Sequence, residues 1–167
     1  TRGHGWRFLD IGRRLERAVN VVTLAEAGLA VGVEGGMILD PLLEIGDSVI
    51  TYRRRYFAQP QWPGVLDLLL AEEANPRSLA FQLSALADHA ANLPRDPGAP
   101  ASPREAGLVE AMQARLRAMN FESLEVPARG PLPAAITELL AHSAAELRRL
   151  SDALTHRYFS HAVTRAS

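Results

Sequence analysis

The sequence contains no cysteine. This absence excludes disulfide bonds, thiolate nucleophiles and cysteine-based zinc sites, and it suits the cytoplasmic localisation that we expect. The chain also lacks an excess of charge of either sign, because 18 basic and 19 acidic residues leave a formal net charge of −1. Proteins that bind nucleic acid or anionic membranes in a general way are normally basic, so we expect neither as a partner.

Long hydrophobic runs are missing as well. The most apolar stretch, residues 19–50, is interrupted by Glu26, Glu34, Asp40 and Glu44, so it contains no run of the roughly 18 residues that a spanning helix needs. No signal-peptide pattern is visible at the start of the sequence. With 167 residues, of which 47% are hydrophobic, the chain can fill one core. We predict a single domain over residues 1–167, with no helix that spans a membrane.

Helical periodicity is what the sequence has in abundance. No segment alternates apolar and polar residues between turns as a strand would, whereas about six segments repeat apolar residues at steps of three and four. The longest pattern predicts a helix from Gly5 to Val31. Its apolar stripe consists of Phe8, Ile11, Leu15, Ala18, Val22, Ala25 and Leu29. The fold class predicted from these patterns is an all-α bundle of about six helices.

Pairs of a capping residue and a proline predict where three further helices begin. Asp40-Pro41 predicts a helix that ends near Phe57, and Asn75-Pro76 predicts the next long one. Ser102-Pro103 opens a helix after a proline-rich loop, and a long last helix carries apolar residues from position 136 to 154. A short apolar segment, residues 65–71, completes the set.

Charges crowd the middle of the first predicted helix, opposite its apolar stripe. Arg13, Glu16 and Arg17 lie on that side, between the apolar residues Trp6 and Leu9 at one end and Leu24 at the other. In one interpretation Glu16 and Arg17 pair with charges on neighbouring helices, and Glu16→Ala would then cost more than about 2 kcal/mol of stability. In the other, the charged middle faces a cleft that holds an anionic or peptide-like ligand, for which arginine offers a planar fork of donors.

Two other groups of residues have the composition and spacing of a possible site. Arg53 and Arg55 flank the apolar stripe of the second predicted helix, in the stretch YRRRYF, and they are candidate ligand contacts. Cations near a helix C-terminus are also favoured by the helix dipole alone. Glu138, His142 and Glu146 share a helix face, but such spacing is common on helix surfaces. We predict no metal site, no cofactor and no catalytic residue.

Four stretches of the sequence together resemble a known family. GWRFLDIGRRLERA, TYRRRYF, NPRSLAFQL and LSDALTHRYFSH occur in this order and are similar to the alpha-E family, a bacterial helical domain named for its Glu-Arg motif. By this resemblance Glu16 and Arg17 are the signature pair, and Gly12 and Arg13 belong to the surrounding motif. The chain resembles the later half of typical members, so it is expected to be part of a longer parent protein.

The resemblance also implies a functional setting. Members of the family occur beside, or fused to, a circularly permuted ATP-grasp protein and a transglutaminase-like protein. The function this implies is a non-catalytic binding or scaffold module in an ATP-grasp-linked system that makes or modifies peptides. The alternative is an enzyme component that binds a peptide or acyl phosphate in an arginine-lined cleft and assists amide-bond formation. The expected partner is an ATP-grasp or transglutaminase-like protein, and a homodimer is a further alternative.

Overall fold

A computed structural model of the chain describes residues 3–32, 37–94, 104–127 and 131–159. Within these ranges the chain forms seven α-helices and one π-helix, and no strand. The elements, in chain order, are α1 (His4–Gly32), α2 (Leu39–Ile45), α3 (Val49–Tyr56), α4 (Trp62–Leu66), the π-helix (Asp67–Ala71), α5 (Leu79–Ala91), α6 (Arg104–Ala118) and α7 (Ala134–Tyr158). The predicted all-α fold is confirmed.

The four long helices form the body of the bundle. Helix α1 packs against α5 and α7, α5 packs against α6, and α6 packs against α7, so the four helices close a ring around one core. The predicted stripe of α1 faces this core, where Ile11, Ala18, Val22, Ala25 and Leu29 are all buried. Helix α2 and the π-helix pack against α1, whereas α3 and α4 pack against α2 and against each other. All four extend the same hydrophobic cluster.

Buried glutamates join α6 to α7. Glu146 of α7 accepts a hydrogen bond from Arg115 of α6, and Glu105 of α6 accepts one from Arg157 of α7 at 3.2 Å. Both glutamates are buried, whereas the arginines lie closer to the surface. Removing either arginine would leave a carboxylate inside the bundle without its cation, which is costly even where the complete pair adds little net stability.

The second predicted helix is in fact two helices. Residues 46–48 break it, and Asp47 adopts a left-handed backbone with a φ of 47°. Ser48 accounts for part of the break, because its hydroxyl donates to the Gly46 carbonyl and accepts from the buried Asn75 amide. Asp40 and Pro41 lie inside the first turn of α2, since the N-cap position is occupied by Ile38. The apolar spacing continued across the break, so the sequence pattern alone did not reveal it.

The start of α5 also differs from the prediction. Ser78, rather than Asn75, is the N-cap, and its hydroxyl accepts a hydrogen bond from the Phe81 amide at 3.0 Å. Asn75 has a different role, because its buried side chain donates to the Leu68 carbonyl and accepts from the Arg77 amide. Of the other predicted helix starts, Ser102-Pro103 lies outside the described residues.

The apolar segment 65–71 ends in the π-helix, which packs against α1, α5 and α6. Its hydrogen bond from the Glu72 amide to the Asp67 carbonyl, at 3.0 Å, spans five residues instead of four. Leu68, Leu69 and Leu70 are all buried. The wider turn therefore places three consecutive leucines in the core and leaves Asp67, the first residue of the π-helix, partly exposed.

Candidate functional site

The Glu-Arg motif lies on the outer face of α1. Gly12, Arg13, Glu16 and Arg17 are all exposed, and an added Cβ on Gly12 would meet no atom within 4 Å. No ion pair or hydrogen bond joins the side chains of Glu16 or Arg17 to any other residue in the described part of the chain. The expectation that this pair meets charges on neighbouring helices of the bundle is therefore wrong. The reason is that α5 and α7 pack on the apolar side of α1, and the described elements leave Glu16 and Arg17 on the other side exposed.

A different set of polar residues from the same stretch lies inside the bundle. Asp10 is buried, and its Oδ2 atom lies 2.7 Å from Nε2 of the buried His89 on α5. The same carboxylate oxygen accepts a hydrogen bond from Nε of Arg14 at 3.3 Å. Arg14 also donates to Oε1 of Gln82 at 3.2 Å, and Gln82 donates to the Pro76 carbonyl at 2.7 Å. This polar network connects α1 to α5.

The geometry of the network fixes the protonation of its members. Burial raises the pKa of Asp10, but the hydrogen bonds from His89 and Arg14, together with their charges, outweigh it and hold the pKa below 3.8. Asp10 is therefore a carboxylate that only accepts, so Nε2 of His89 must carry the proton between them. Nδ1 of His89 is buried and has no hydrogen-bond partner among the described residues.

One signal in the sequence could have identified this network. At about 100° per residue, Arg14 falls roughly 70° from the centre of the apolar stripe, whereas Glu16 falls roughly 130° from it. Asp10 and Arg14 are also four residues apart, the spacing at which helical side chains meet. His89 and Gln82 carried no comparable signal, because their pairing with α1 depends on how α5 packs.

The motif residue Arg17 lines a groove of about 560 Å³ between α1 and the turn that joins α2 to α3. Its apolar lining comes from both elements and includes Val21, Leu24, Ala27 and Ile45. Arg77 and Asp47, which form an ion pair with each other, lie at the same groove. An arginine at the edge of an apolar groove is an arrangement typical of protein–protein contact sites.

The other two predicted arginines line separate grooves. Arg53 lines one of about 570 Å³ with Tyr52 and Phe57, and Arg55 lines one of about 850 Å³ near the end of α6. Arg55 forms ion pairs with Asp67 and Glu72. None of the grooves found in the described residues contains Arg17 together with either of these arginines.

Asp67 connects the Arg55 groove to the π-helix. The Tyr56 hydroxyl donates to Oδ2 of Asp67 at 2.8 Å, and the rings of Tyr52 and Tyr56 stack with their centroids 4.6 Å apart. Burial and the hydrogen bond to Asp67 raise the pKa of Tyr56 to about 12. Tyr56 therefore remains a protonated donor at neutral pH, and this end of α3 is held firmly against the rest of the fold.

Neither a metal centre nor a membrane span can be assigned to the described ranges. They hold no group of three or more histidine, aspartate or glutamate side chains arranged to bind a metal ion. None of the helices in them is both long enough and apolar enough to cross a bilayer.

Comparison with known families identifies the exposed motif on α1. A family model described as "Alpha-E: A predicted alpha-helical domain with a conserved ER motif" matches residues 1–159. The chain belongs to the Alpha-E family. Glu16-Arg17 is the only Glu-Arg dipeptide in the sequence, so the pair that names the family is the pair that α1 exposes. The predicted membership of this family is confirmed.

Relatives of this Alpha-E chain occur in mycobacteria. The chain is 37% identical over 155 residues to Uncharacterized protein Mb2597 of Mycobacterium bovis and to Uncharacterized protein Rv2567 of Mycobacterium tuberculosis. The match covers 90% of this chain but only 17% of each relative. The chain thus spans less than a fifth of the length of these proteins. No solved structure matches the chain significantly.

Proposed function

We propose that this Alpha-E domain is a non-catalytic binding module that docks onto another protein through the motif face of α1, which comprises Gly12, Arg13, Glu16 and Arg17. The observation that carries the proposal is the exposure of Glu16 and Arg17 on a helix whose apolar stripe, on the other side, packs into the core. Because neither side chain is engaged within the described fold, the pair contributes little to that fold. A partner surface gives both charges something to bind.

The surroundings of the motif support docking of a protein rather than of a small ion. The groove beside Arg17 has aliphatic side chains from α1 and from α2 in its lining, and one of them, Ile45, is 73% exposed. Val19, one turn along α1 from Glu16, is also exposed. Interfaces commonly combine an apolar centre with arginine and with charges of both signs at the rim.

The partner that we propose comes from the family resemblance. It is a component of an ATP-grasp-linked system for peptide synthesis or modification, either the ATP-grasp protein or the transglutaminase-like protein. A second copy of this chain on the same face is the alternative, because Glu16 and Arg17 of two antiparallel α1 helices would be self-complementary across a twofold axis.

The alternative enzymatic role has less support. An amide-forming cleft that used several arginines would need Arg13 or Arg17 to share an open pocket with Arg53 or Arg55. In the described residues Arg17, Arg53 and Arg55 line different grooves, and Arg55 forms ion pairs with two carboxylates. The arrangement favours a binding module over an assembled arginine-lined cleft.

Charge reversal on α1 tests the proposal. The chain would be mixed with purified ATP-grasp and transglutaminase-like proteins from the same organism, and affinity would be measured by calorimetry. We expect Glu16→Arg or Arg17→Glu to weaken binding by at least about tenfold, the effect of removing one interfacial hot spot. Unfolding of the isolated chain should stay unchanged, because both side chains are exposed.

Matched controls are available on the other long helices. Glu110→Arg on α6 and Arg149→Glu on α7 reverse exposed charges away from α1 and should leave binding intact. Binding that survives both motif variants would refute the proposed face. The chain could instead sediment as a dimer that the motif variants dissociate, and bind neither the ATP-grasp nor the transglutaminase-like protein. That result would establish a second copy of the chain as the occupant.

A further inference from the structure

The outward face of α3 carries four exposed residues at helical spacing. Ile50, Arg53, Arg54 and Phe57 lie at positions i, i+3, i+4 and i+7, which places them on one side of the helix and its C-terminal cap. Ile50 is 68% exposed and Phe57 is 88% exposed. These four residues, here called the α3 outer face, present two large apolar side chains with two guanidinium groups between them.

Phe57 is an unfavourable residue for its place in this fold. It is the C-cap of α3 and adopts a left-handed backbone, with a φ of 50° and a ψ of 25°. Glycine is the usual residue in that conformation, because a Cβ atom makes it strained. The ring recovers nothing by burial, since most of its surface is exposed. The Phe57 amide donates to the Arg53 carbonyl at 3.3 Å, a hydrogen bond that glycine would make as well. The Phe57 side chain therefore does not itself stabilise the isolated domain.

The two arginines of this face are unengaged. Arg53 and Arg54 are exposed and form no ion pair with another described residue, in contrast to their neighbour Arg55. The helix dipole favours cations at this end. The dipole does not explain why exposed apolar side chains flank the two arginines. The combination is typical of a surface that binds a ligand through both its charges and its apolar side chains.

An apolar groove lies beside the α3 outer face. Arg53 and Phe57 line it together with Leu43, Val49 and Tyr52, and its volume is about 570 Å³. Asp40 is the one acidic residue at the groove. The floor is thus apolar, and the unpaired charges at the α3 side are positive.

We propose that the α3 outer face is a second docking surface, and that it binds an acidic amphipathic protein segment. The segment would place an aliphatic or aromatic side chain in the groove and a carboxylate against Arg53 or Arg54. Charge complementarity favours this occupant, since arginine pairs with carboxylate through two parallel hydrogen bonds. Nucleic acid and anionic membranes fit less well, because two free arginines on a chain of net charge −1 supply few of the contacts that such polyanions use.

Phage display tests this proposal. Peptides are selected from a library of random 16-residue sequences, with the whole 167-residue chain as bait. We expect the enriched peptides to carry Asp or Glu within one helical turn of an apolar residue. Their binding should shift the amide resonances of residues 50–57. Arg54→Glu should weaken binding by at least about tenfold, whereas Arg149→Glu on α7 should not.

Phe57→Gly separates binding from folding. Glycine relieves the left-handed strain at this position, so the variant should unfold at a higher urea concentration than the parent while it loses peptide affinity by a similar factor. A purely structural role for Phe57 would lower the urea midpoint and overturn the proposal.

Three other outcomes would also overturn the proposal. They are enrichment of peptides without acidic residues, resonance shifts confined to α1, and binding to phosphatidylserine vesicles or to single-stranded DNA that exceeds binding to the peptides. Because the motif variants on α1 leave the α3 outer face intact, failure of this proposal and failure of the proposed function are distinguishable.

Discussion

At the scale of single residues, two carboxylate side chains of α1, Asp10 and Glu16, have opposite environments. Asp10 is buried and accepts hydrogen bonds from His89 and Arg14, whereas Glu16, six residues later, is exposed and unpaired in the described fold. Six residues turn the helix by about 600°, so the two side chains leave it about 120° apart. Asp10 therefore points towards α5, and Glu16 points away from it. Their contributions to stability should therefore differ strongly.

Glu16→Ala should change the free energy of unfolding of the isolated chain by less than about 0.5 kcal/mol, as is usual for exposed positions without partners. This replaces the larger loss that a buried Glu-Arg pair would have implied. Urea denaturation followed by circular dichroism measures the change. A loss of more than about 2 kcal/mol in the monomer would mean that Glu16 is engaged within the fold after all.

Asp10→Asn should destabilise the chain by about 1–3 kcal/mol, because it removes the charged acceptor shared by His89 and Arg14 inside the bundle. Urea denaturation at neutral pH gives the value. Glu110→Gln makes the same chemical change at an exposed position of α6 and serves as the control. Equal effects of the two substitutions would contradict the proposed importance of the buried network.

The effect of Asp10→Asn should also depend on pH in a defined direction. The pKa of Asp10 in the folded chain lies below its ordinary value of 3.8. The stability contributed by the carboxylate is therefore complete above that value and is lost as the pH falls through the lower folded-state pKa. The stability difference between the parent and the variant should shrink below pH 3.8; a difference that grew on acidification would have the wrong sign.

At the scale of elements, the caps and breaks rather than the apolar stripes decide where helices begin and end. Ser78 caps α5 and also donates to the Glu72 carbonyl at 2.6 Å, so one hydroxyl connects the start of α5 to the end of the π-helix. The sequence pattern predicted Asn75-Pro76 as the start of this helix instead. The choice between them depends on Asn75 being drawn into the core by Leu68 and Ser48.

Ser78→Ala should cost about 1 kcal/mol, the usual effect of losing an N-cap hydroxyl, and hydrogen exchange at the first amides of α5 should accelerate. Thermal or urea denaturation measures the first effect, and amide exchange monitored by nuclear magnetic resonance measures the second. Ser151→Ala, at an exposed position within α7, is the control and should be neutral. If both variants were equally stable, Ser78 would not be the functional cap.

At the scale of the whole molecule, one hydrophobic cluster connects all the described elements. It includes Leu42 of α2, Trp62 of α4, Leu69 of the π-helix and Leu86 of α5, together with the stripes of α1, α6 and α7. A continuous core of this kind normally unfolds in one cooperative step. The short helices should therefore not unfold separately from the four long ones.

This cooperativity can be measured with the two tryptophans. In a Trp6→Phe variant, Trp62 fluorescence reports on α4, whereas far-ultraviolet circular dichroism is dominated by the four long helices. The two urea transitions should have the same midpoint. Separate midpoints would show that α2 to α4 form an independent unit, and would contradict the prediction of a single domain.

The sequence by itself determined the helical class, the apolar stripe of α1 and the family to which the chain belongs, because periodicity and short motifs are local properties of the chain. It also placed the motif on the side of the first helix opposite that stripe. Only the tertiary structure decided that Glu16 and Arg17 are exposed, that Asp10 pairs with His89, and that the arginines of α1 and α3 line different grooves. These facts depend on which helix covers which face, and that is settled by packing between residues far apart in sequence.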